Sequence, residues 1–321
     1  MDNGTIVVTG GHGFIGSRFI KHVYENTDFN IINIDKNTYA ADPERIPKKI
    51  RLDNERYMSV GMCITSDFDG CALPIRQKML AAKYVVNFAA ESHVDNSIED
   101  GTPFVRSNIE GVFNLLNFFK ESKDFIKYGK FIQISTDEVY GDMCDLRGNQ
   151  SADESFSLRP SSYYSASKAS ADLLVQSAAR TFGISYLITR SCNNYGPNQD
   201  PEKFLPKVYK CIQEGEEIPI YGDGEQIREW IHVDDNVRMI AKLALSMDTG
   251  VFNIGTGHQL TNNQIIDRIG ELSNKTVFTK NVEDRLGHDK TYSLDCRKLN
   301  HPFYLAAERF DSYLTNNYSG S

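Results

Sequence analysis

The 321-residue sequence lacks the marks of several protein classes. No apolar run approaches the ~18–20 residues that a membrane-spanning helix needs. Lys and Arg number 35 against 43 Asp and Glu, and the resulting formal charge of −8 at pH 7 argues against nucleic acid or an anionic membrane as a partner. The six cysteines form no CxxC pair and no zinc-like spacing, so we expect no bound metal. These absences favour a globular cytoplasmic protein with reduced thiols.

The chain opens with a recognisable order of elements. Residues 5–9 are a short β-branched run, and the glycine-rich turn 10–16 follows directly. A helical pattern comes next, and a second apolar run, 31–34, ends in Asp35. Strand, glycine turn, helix, strand and acid together predict the start of a Rossmann domain, although a glycine turn alone also occurs as a plain connection. Such a turn lets the backbone and the helix amides approach a pyrophosphate.

Asp35 bears on the choice of dinucleotide. A carboxylate at the end of the second strand is placed to accept hydrogen bonds from both ribose hydroxyls, and its charge would repel a 2′-phosphate. This favours NAD over NADP, although the neighbouring Lys36 acts in the opposite direction. We therefore predict NAD as the cofactor.

Strands and helices continue to alternate through the first half of the chain. Patterns typical of strands cover 84–89, 130–135 and 185–189, and patterns typical of helices cover 103–122 and 161–182. Alternation of this kind predicts a parallel sheet covered by helices on both faces. The expected fold class is α/β, with a doubly wound Rossmann sheet.

The sequence pattern changes after residue 190, where prolines and asparagines indicate a loop-rich segment that faces a ligand. A helical pattern at 233–246 and an apolar run at 251–254 are expected to return to the first domain. The remainder predicts a smaller α/β substrate-binding domain. The predicted division is 1–190 plus about 229–254 for the Rossmann domain, and about 191–228 and 255–321 for the smaller one.

The residues that carry chemistry follow the predicted strand at 130–135. Thr136, Asp137 and Glu138 supply a hydroxyl and two adjacent carboxyls, and Tyr164 and Lys168 lie four positions apart, on one helical face. A phenol that takes a hydroxyl proton, beside an acid and a base, suits oxidation of an alcohol followed by elimination of water. Both carboxyls can reach one ligand only where the strand has ended. Because two close carboxyls do not both ionise easily, we expect one to stay protonated near neutral pH.

The tyrosine needs help to act as a base. Its ordinary pKa lies ~3 units above neutral pH, and burial would raise the pKa further. Lys168 and the positive nicotinamide ring of bound NAD are the cations expected to favour the phenolate. Taken alone, Tyr164 and Lys168 could be an exposed pair, and the two carboxyls could be a helix cap and a solvent-facing side chain. Small residues around Lys168 favour a closely packed helix instead.

These motifs resemble those of the extended short-chain dehydrogenase/reductases, and among them the nucleotide-sugar 4,6-dehydratases of the dTDP-glucose 4,6-dehydratase type. The similarity covers nearly the whole chain. Its specific part is the triplet 136–138, since the glycine turn and the Tyr–Lys pair are shared by the whole superfamily. The matching segments are 9–16, 35–36, 89–95, 135–141, 164–170, 193–197, 201–204, 219–222, 227–230, 253–255 and 284–289.

The resemblance implies conversion of a nucleoside-diphospho-glucose, dTDP-glucose ahead of UDP-glucose, to its 4-keto-6-deoxy product. Tyr164, hydrogen-bonded to Thr136, would take the proton of the C4 hydroxyl while NAD takes the C4 hydride. Glu138 would then remove the C5 proton, and Asp137 would protonate the departing C6 hydroxyl. The hydride would return to C6, so NAD is recycled in place and stays bound.

The resemblance also implies the binding residues and a homodimer formed by the helices near 103–122 and 161–182. Expected NAD contacts are Gly10, Gly13, Phe14, Ile15, Gly16, Asp35, Lys36, Cys63, Ile64, Phe88, Ala89, Ala90, Ser107, Tyr164, Lys168 and Asn194. Expected substrate contacts are Ser92, Thr136, Asn193, Lys203, Phe204, Pro219, Tyr221, Arg228, Asn262, Arg285 and His288. Four of these supply the cations that an acidic protein needs around a diphosphate.

Three positions depart from the family pattern. Cys63 stands where an acidic residue usually lies near the adenine, and a thiol is a poor acceptor for the adenine amine. Ser107 stands where threonine is usual, and Asn96 replaces a common arginine. None of the three belongs to the predicted catalytic set.

Three other functions remain to be weighed. A nucleotide-sugar 4-epimerase needs only the Tyr–Lys pair and a hydroxyl, and the pair of carboxyls would have no role in it. A sugar-nucleotide decarboxylase would lack the acid at Asp137. An NAD-binding sensor without turnover predicts loss of Tyr164, Lys168 or the carboxyls, and all are present. The sequence therefore predicts a dehydratase.

Overall fold

The computed structural model describes residues 4–144, 151–301, 303 and 305–319. The strands within these residues are β1 Thr5–Thr9, β2 Asn30–Asp35, β3 Tyr57–Gly61, β4 Tyr84–Asn87, β5 Lys130–Thr136, β6 Ser185–Ser191, β7 Asn193–Tyr195, β8 Glu217–Tyr221, β9 Ile227–His232, β10 Gly250–Ile254, β11 Gln259–Thr261 and β12 Phe278–Val282. The α-helices are α1 Phe14–Asn26, α2 Lys48–Arg51, α3 Leu73–Leu80, α4 Val94–Glu99, α5 Thr102–Phe104, α6 Gly111–Phe119, α7 Lys123–Tyr128, α8 Tyr163–Phe182, α9 Phe204–Glu214, α10 Val233–Leu245, α11 Asn262–Ser273 and α12 Ala306–Tyr318.

A parallel sheet of seven strands organises the larger part of the molecule. Its order is β10-β6-β5-β4-β1-β2-β3, and every neighbouring pair is parallel. The connections reverse direction between β1 and β4, where a doubly wound sheet opens a crevice at the carboxyl ends of its strands. The predicted α/β Rossmann fold is therefore confirmed.

Apolar side chains on both faces of this sheet explain why helices cover both. One core cluster joins Phe19 and Ile20 of α1 to Val237 of α10, and α10 packs against α1. The other joins Leu115 of α6 to Val175 of α8. All seven residues of β5 are buried, as a central parallel strand requires.

The turn between β1 and α1 depends on a glycine at its start. Gly10 has φ +71°, and a Cβ added there would lie 2.6 Å from the backbone nitrogen of Ala89. Any other residue would therefore be strained and would push β4 away. This close approach brings the loops after β1 and β4 together.

Two small sheets and a third apolar cluster form the remaining part. The first has the order β11-β9-β7, and β8 pairs in parallel with β12. The cluster joins Trp230 of β9 to Leu205 of α9, Ile265 of α11 and Phe310 of α12. The strand β10 returns to the large sheet beside β6, whereas residues 229–232 belong to β9 in the three-stranded sheet. The division into two domains stays a prediction.

The predicted helix at 103–122 is interrupted. The π-helical segment Val105–Glu110 connects α5 to α6, and this class of bulge is frequent at functional sites. Among the described residues, no helix combines the length and the apolar character needed to cross a membrane.

The amino end of β5 is anchored by a buried lysine. The Nζ of Lys130 donates to four carbonyl oxygens at the end of α10 and just beyond it. The acceptors belong to Leu243, Ala244, Ser246 and Asp248, at 2.6 to 3.3 Å. The last carbonyls of a helix have no partners within the helix, so this ammonium group satisfies them and fixes α10 to the sheet.

Candidate active site

A cavity of about 500 Å³ lies at the carboxyl ends of β1, β4, β5 and β6 and extends to the small sheets. All the predicted substrate residues line it: Ser92, Thr136, Asn193, Lys203, Phe204, Pro219, Tyr221, Arg228, Asn262, Arg285 and His288. Predicted catalytic and cofactor residues that also line it are Gly10, Gly13, Phe14, Ile15, Gly16, Phe88, Ala90, Glu138, Tyr164, Lys168 and Asn194. Predicted residues that lie outside its lining are Asp35, Lys36, Cys63, Ile64, Ala89, Ser107 and Asp137.

The first turn of α1 fits a pyrophosphate. Gly13 is the N-cap residue, and it contributes no side-chain hydrogen bond to the helix. No acidic residue occupies the first turn, and Gly13, Phe14 and Ile15 line the cavity. Free backbone amides at a helix N-terminus that faces a cavity are a ready anion site.

Asp35 lies just behind the lining, at the end of β2. Its carboxylate accepts hydrogen bonds from the backbone amides of His12, at 2.9 Å, and Asn37, at 2.8 Å. Each oxygen keeps lone-pair capacity for a ribose hydroxyl. The ammonium group of Lys36 is paired with Glu91 at 3.1 Å. The charge that opposed an NAD preference is therefore partly neutralised within the protein.

The other predicted residues of the adenine and nicotinamide environment are packed into the protein. The Cys63 thiol lies 3.0 Å from the hydroxyl of Thr65, and Ile64 is buried in the cluster that includes α6. Ser107 is buried within the π-helical segment. Neither Cys63 nor Ser107 reaches the cavity wall as the side chains stand.

The strand β5 ends at Thr136, and the chain then forms a single 3₁₀ turn, Asp137–Tyr140. The Thr136 hydroxyl accepts from the backbone amide of Glu138, at 3.3 Å, and donates to the Asp137 carboxyl, at 3.1 Å. Gly141 closes the turn with φ +73°, and a Cβ there would lie 2.0 Å from the carbonyl oxygen of Arg159. Because the strand has ended, the two carboxyls are not forced to opposite faces of the sheet.

The surroundings give the two carboxyls different protonation behaviour. Burial raises the pKa of Asp137 to about 8, and repulsion from Glu138 and Glu229 adds to this effect. Burial also raises the pKa of Glu138, but three cations oppose the rise. Those cations are Arg228, Arg285 and Lys203. Asp137 therefore holds its proton at neutral pH, while Glu138 is the carboxyl that nearby positive charge favours in its ionised form.

Tyr164 and Lys168 lie on the first two turns of α8, which begins with a capping box of Ser162 and Ser165. Burial raises the pKa of Tyr164, an ionised Glu138 or Asp137 raises it further, and the Thr136 hydroxyl lowers it. Formation of the phenolate therefore needs a nearby positive charge, because the surrounding carboxyls oppose it. The phenol and both carboxyls lie close enough to interact electrostatically, as the sequence predicts.

Lys168 is buried one helical turn beyond Tyr164, and both residues line the cavity. Its Nζ donates to the carbonyl oxygen of Ile134 at 2.5 Å. Burial lowers the pKa of Lys168 to about 8, and the negative charge of Asp172 opposes this shift. The ammonium group is thus charged at neutral pH, close to its titration midpoint.

Positive side chains gather on the opposite wall of the cavity. The Lys203 Nζ lies 3.2 Å from the carbonyl oxygen of Ser92, and Arg285 pairs with Asp95 at 3.0 Å. The Arg228 guanidinium donates to backbone carbonyls and stacks 4.4 Å above the Tyr292 ring. These cations give an acidic protein a local site for an anionic ligand.

Several lining residues were not predicted. Tyr292, Lys207, Gln199 and Tyr39 line the cavity but belong to no short motif. Tyr292 is brought in because Arg228 lies over its ring. Tyr39 follows Asp35 closely in the chain, so its place beside the second strand was the one signal available.

The Rossmann sheet, the free helix amides and the Tyr–Lys pair on α8 define the class: a dinucleotide-dependent enzyme of the extended short-chain dehydrogenase/reductase type. A model described as the NAD dependent epimerase/dehydratase family matches residues 6–255, and the chain belongs to this family. Its cofactor is NAD, as predicted.

Known relatives narrow the resemblance. The chain is 40% identical over 298 residues to the low-salt glycan biosynthesis protein Agl12 of Haloferax volcanii, covering 91% of this chain and 90% of the relative. It is 38% identical over 314 residues to a dTDP-glucose 4,6-dehydratase of Escherichia coli, covering 92% and 86%. The solved NAD-bound dTDP-glucose 4,6-dehydratase DesIV of Streptomyces venezuelae aligns with a TM-score of 0.85 at 34% identity, over 98% and 97% of the two chains. The predicted resemblance is confirmed.

Proposed function

We propose that this protein is a nucleotide-sugar 4,6-dehydratase that converts a nucleoside-diphospho-glucose to the 4-keto-6-deoxy product. The observation that carries the proposal is the pair of carboxyls at the end of β5, where burial favours the protonated form of Asp137 and three cations favour the ionised form of the adjacent Glu138. An acid and a base at one place suit elimination of water across a C–C bond. The relatives named dTDP-glucose 4,6-dehydratases favour dTDP-glucose as substrate, with UDP-glucose next.

The chain's own residues divide the proton transfers. Tyr164 takes the proton of the C4 hydroxyl, with Lys168 and Thr136 beside it. Glu138 then removes the C5 proton, which the new C4 ketone has made acidic. Asp137 gives its proton to the departing C6 hydroxyl. When bound, NAD supplies a hydride acceptor for C4 and later a hydride donor for C6, and Glu138 returns its proton to C5 as the hydride is delivered.

The positive wall of the cavity would hold the substrate. Lys203, Arg228 and Arg285 face a space that a diphosphate would fill. His288, expected from the sequence as a fourth cation, also lines the cavity, but burial and the charge of Arg285 lower its pKa, so it would contact the diphosphate as a neutral imidazole. On the cofactor side, the first turn of α1 would hold the pyrophosphate and Asp35 the ribose. The larger sheet with α10 and β10 would bind NAD, and the part built on the two small sheets would bind the sugar nucleotide.

Two helical segments carry apolar side chains into solvent, which supports the expected homodimer. Val105 and Phe113 on the α5–α6 side, and Tyr163, Leu173 and Phe182 on α8, are each 44–64% exposed. A symmetric pairing of these helices would bury them.

A nucleotide-sugar 4-epimerase is the main alternative, since the family's description includes epimerases. That reaction needs only the Tyr–Lys pair and a hydroxyl, and it leaves Asp137 and Glu138 without a role. The cost of burying two carboxyls is then unexplained.

The test uses the purified protein with no added NAD. dTDP-, UDP- and GDP-glucose carrying deuterium at C4 are incubated side by side, and the products are identified by NMR and mass spectrometry. We expect a 4-keto-6-deoxy sugar with deuterium at C6, formed fastest from dTDP-glucose. Tyr164→Phe should abolish turnover, while the matched change at the exposed Tyr128, Tyr128→Phe, should not. A product that keeps its C6 hydroxyl would exclude a dehydratase.

A further inference from the structure

A third ionisable residue continues the line of Tyr164 and Lys168 along α8. Asp172 lies one helical turn beyond Lys168, on the same face. Its carboxyl is fully buried, and it does not line the cavity. The proposed reaction gives Asp172 no proton to transfer, so a burial this costly needs another explanation.

Asp172 is fixed in place by a chain of hydrogen bonds through the core. The Arg190 Nε on β6 donates to the Asp172 carboxylate at 3.0 Å, and both side chains are 2% exposed or less. Another nitrogen of Arg190 donates to the Tyr140 hydroxyl at 2.9 Å, and that hydroxyl donates to Asn253 at 2.7 Å. The carboxylate of Asp172 is thereby held between β6 and the helix that bears Lys168.

Burial raises the pKa of Asp172, but Arg190 and Lys168 oppose the rise and favour its ionised form. With Asp172 ionised, Lys168 and Arg190 charged and Tyr164 neutral, the cluster has a net charge of +1. It becomes neutral either when Tyr164 forms a phenolate or when Lys168 loses its proton. Other titratable groups that face this side of α8 come from the turn after β5, and they are Asp137, Glu138 and Tyr140. Among the described groups, Asp172 is the one whose negative charge supports the charged form of Lys168.

We propose that Asp172, clamped by Arg190, is a positioning residue that keeps the buried Lys168 ammonium charged beside Tyr164. The inference rests on the proposed function only in giving Tyr164 and Lys168 their acid–base role. Without the carboxylate, Lys168 and Arg190 would be two buried cations with no anion between them. The lysine would then lose its proton at lower pH, and the phenolate would lose the cation that favours it.

The direct test titrates Lys168 by NMR in protein carrying ¹³C-labelled lysine. Lys168→Met assigns the signal. We expect a midpoint near 8 in the unchanged protein and a midpoint lower by about one unit or more in the isosteric variant Asp172→Asn. Asp172→Glu keeps the charge and should return most of the shift. An Asn variant with an unmoved Lys168 midpoint would overturn the proposal.

A second readout separates positioning from a purely structural role. The alkaline limb of the turnover–pH profile should move to lower pH in Asp172→Asn, by the same amount as the NMR midpoint, with thermal melts confirming that the variant stays folded. A rate lowered equally at every pH would make Asp172 structural and overturn the proposal. If the Asn variant does not fold, Asp172→Ser is titrated under the same criterion. The NMR titration needs no substrate, so a failure of the dehydratase assay leaves its result intact.

Discussion

The two ends of β5 show how one buried strand serves two purposes. At the amino end, the Lys130 ammonium satisfies four carbonyls of the α10 terminus. At the carboxyl end, one Asp137 oxygen is buried without a hydrogen-bond partner among the described residues. Buried polar groups with full partners stabilise a fold, whereas unpaired ones are costly and usually have a functional reason.

The two lysines near this strand make the same contrast. Lys130 and Lys168 are 6% and 4% exposed, and burial lowers the pKa of both. The Lys130 ammonium donates hydrogen bonds to four carbonyls, while Lys168 donates to the single carbonyl of Ile134 and faces the cavity. The number of acceptors around each ammonium group therefore separates the lysine that anchors the fold from the lysine that lines the site.

The largest effect should follow from removing the chemistry at the carboxyl end. Glu138→Gln or Asp137→Asn should each lower turnover of a nucleoside-diphospho-glucose by about 10²–10⁴-fold, because each removes one proton transfer. Folding and NAD binding should be spared, since both changes keep the side-chain shape. Turnover is measured by product formation and NAD binding by calorimetry. The exposed carboxyl of Glu99 provides the control variant Glu99→Gln. Near-normal rates in both variants would remove the pair from the mechanism.

A change at the amino end of β5 should lower the stability of the protein and leave its turnover unchanged. Lys130→Met leaves four carbonyls without their donor, and we expect the free energy of unfolding to fall by about 2–4 kcal/mol. Turnover per folded molecule should stay within about twofold, because the change lies at the far end of the strand. Urea denaturation measures the first quantity and active-site titration the second. The exposed Lys123 gives the control Lys123→Met, which should change neither the free energy of unfolding nor the turnover. A stability loss no larger than that of the control would refute the anchoring role.

The last effect concerns the pH dependence of stability. A carboxyl whose pKa is raised to about 8 in the folded protein binds its proton more tightly there than when unfolded, where its pKa is ~3.9. Its contribution is therefore present below pH ~4 and is lost as the pH rises toward 8. Asp137→Asn removes this loss, so its stability advantage over the unchanged protein should grow from pH 4 to 8 and then level off. Urea denaturation at a series of pH values would show a constant difference if the burial of Asp137 had no such effect.

Local pattern predicted the elements that carry these sites. The strand expected at 130–135 is β5, and the helix expected at 161–182 is α8, because alternation and apolar periodicity are properties of adjacent residues. The strand expected at 84–89 ends at Asn87, since the chain must leave the sheet to approach Gly10.

Contacts between residues that are distant in the chain could not be predicted from the sequence. The ion pair of Asp172 with Arg190 and the anchoring of Lys130 join side chains whose spacing carries no periodic signal. The sequence placed Asp35 toward a ribose, but it did not show that two turn amides already bind its carboxylate. Such pairings depend on which strands become neighbours, and the order of the sheet is decided by the whole fold.

The turn that closes at Gly141 limits how this enzyme can change over time. The left-handed backbone and the carbonyl of Arg159 leave no volume for even a methyl group. Substitutions elsewhere along the cavity can alter which sugar is accepted while the acid and the base keep their positions. Gly141 itself cannot be replaced without disturbing this turn. Related enzymes can therefore diverge in substrate specificity, but we expect them to keep a glycine at this position.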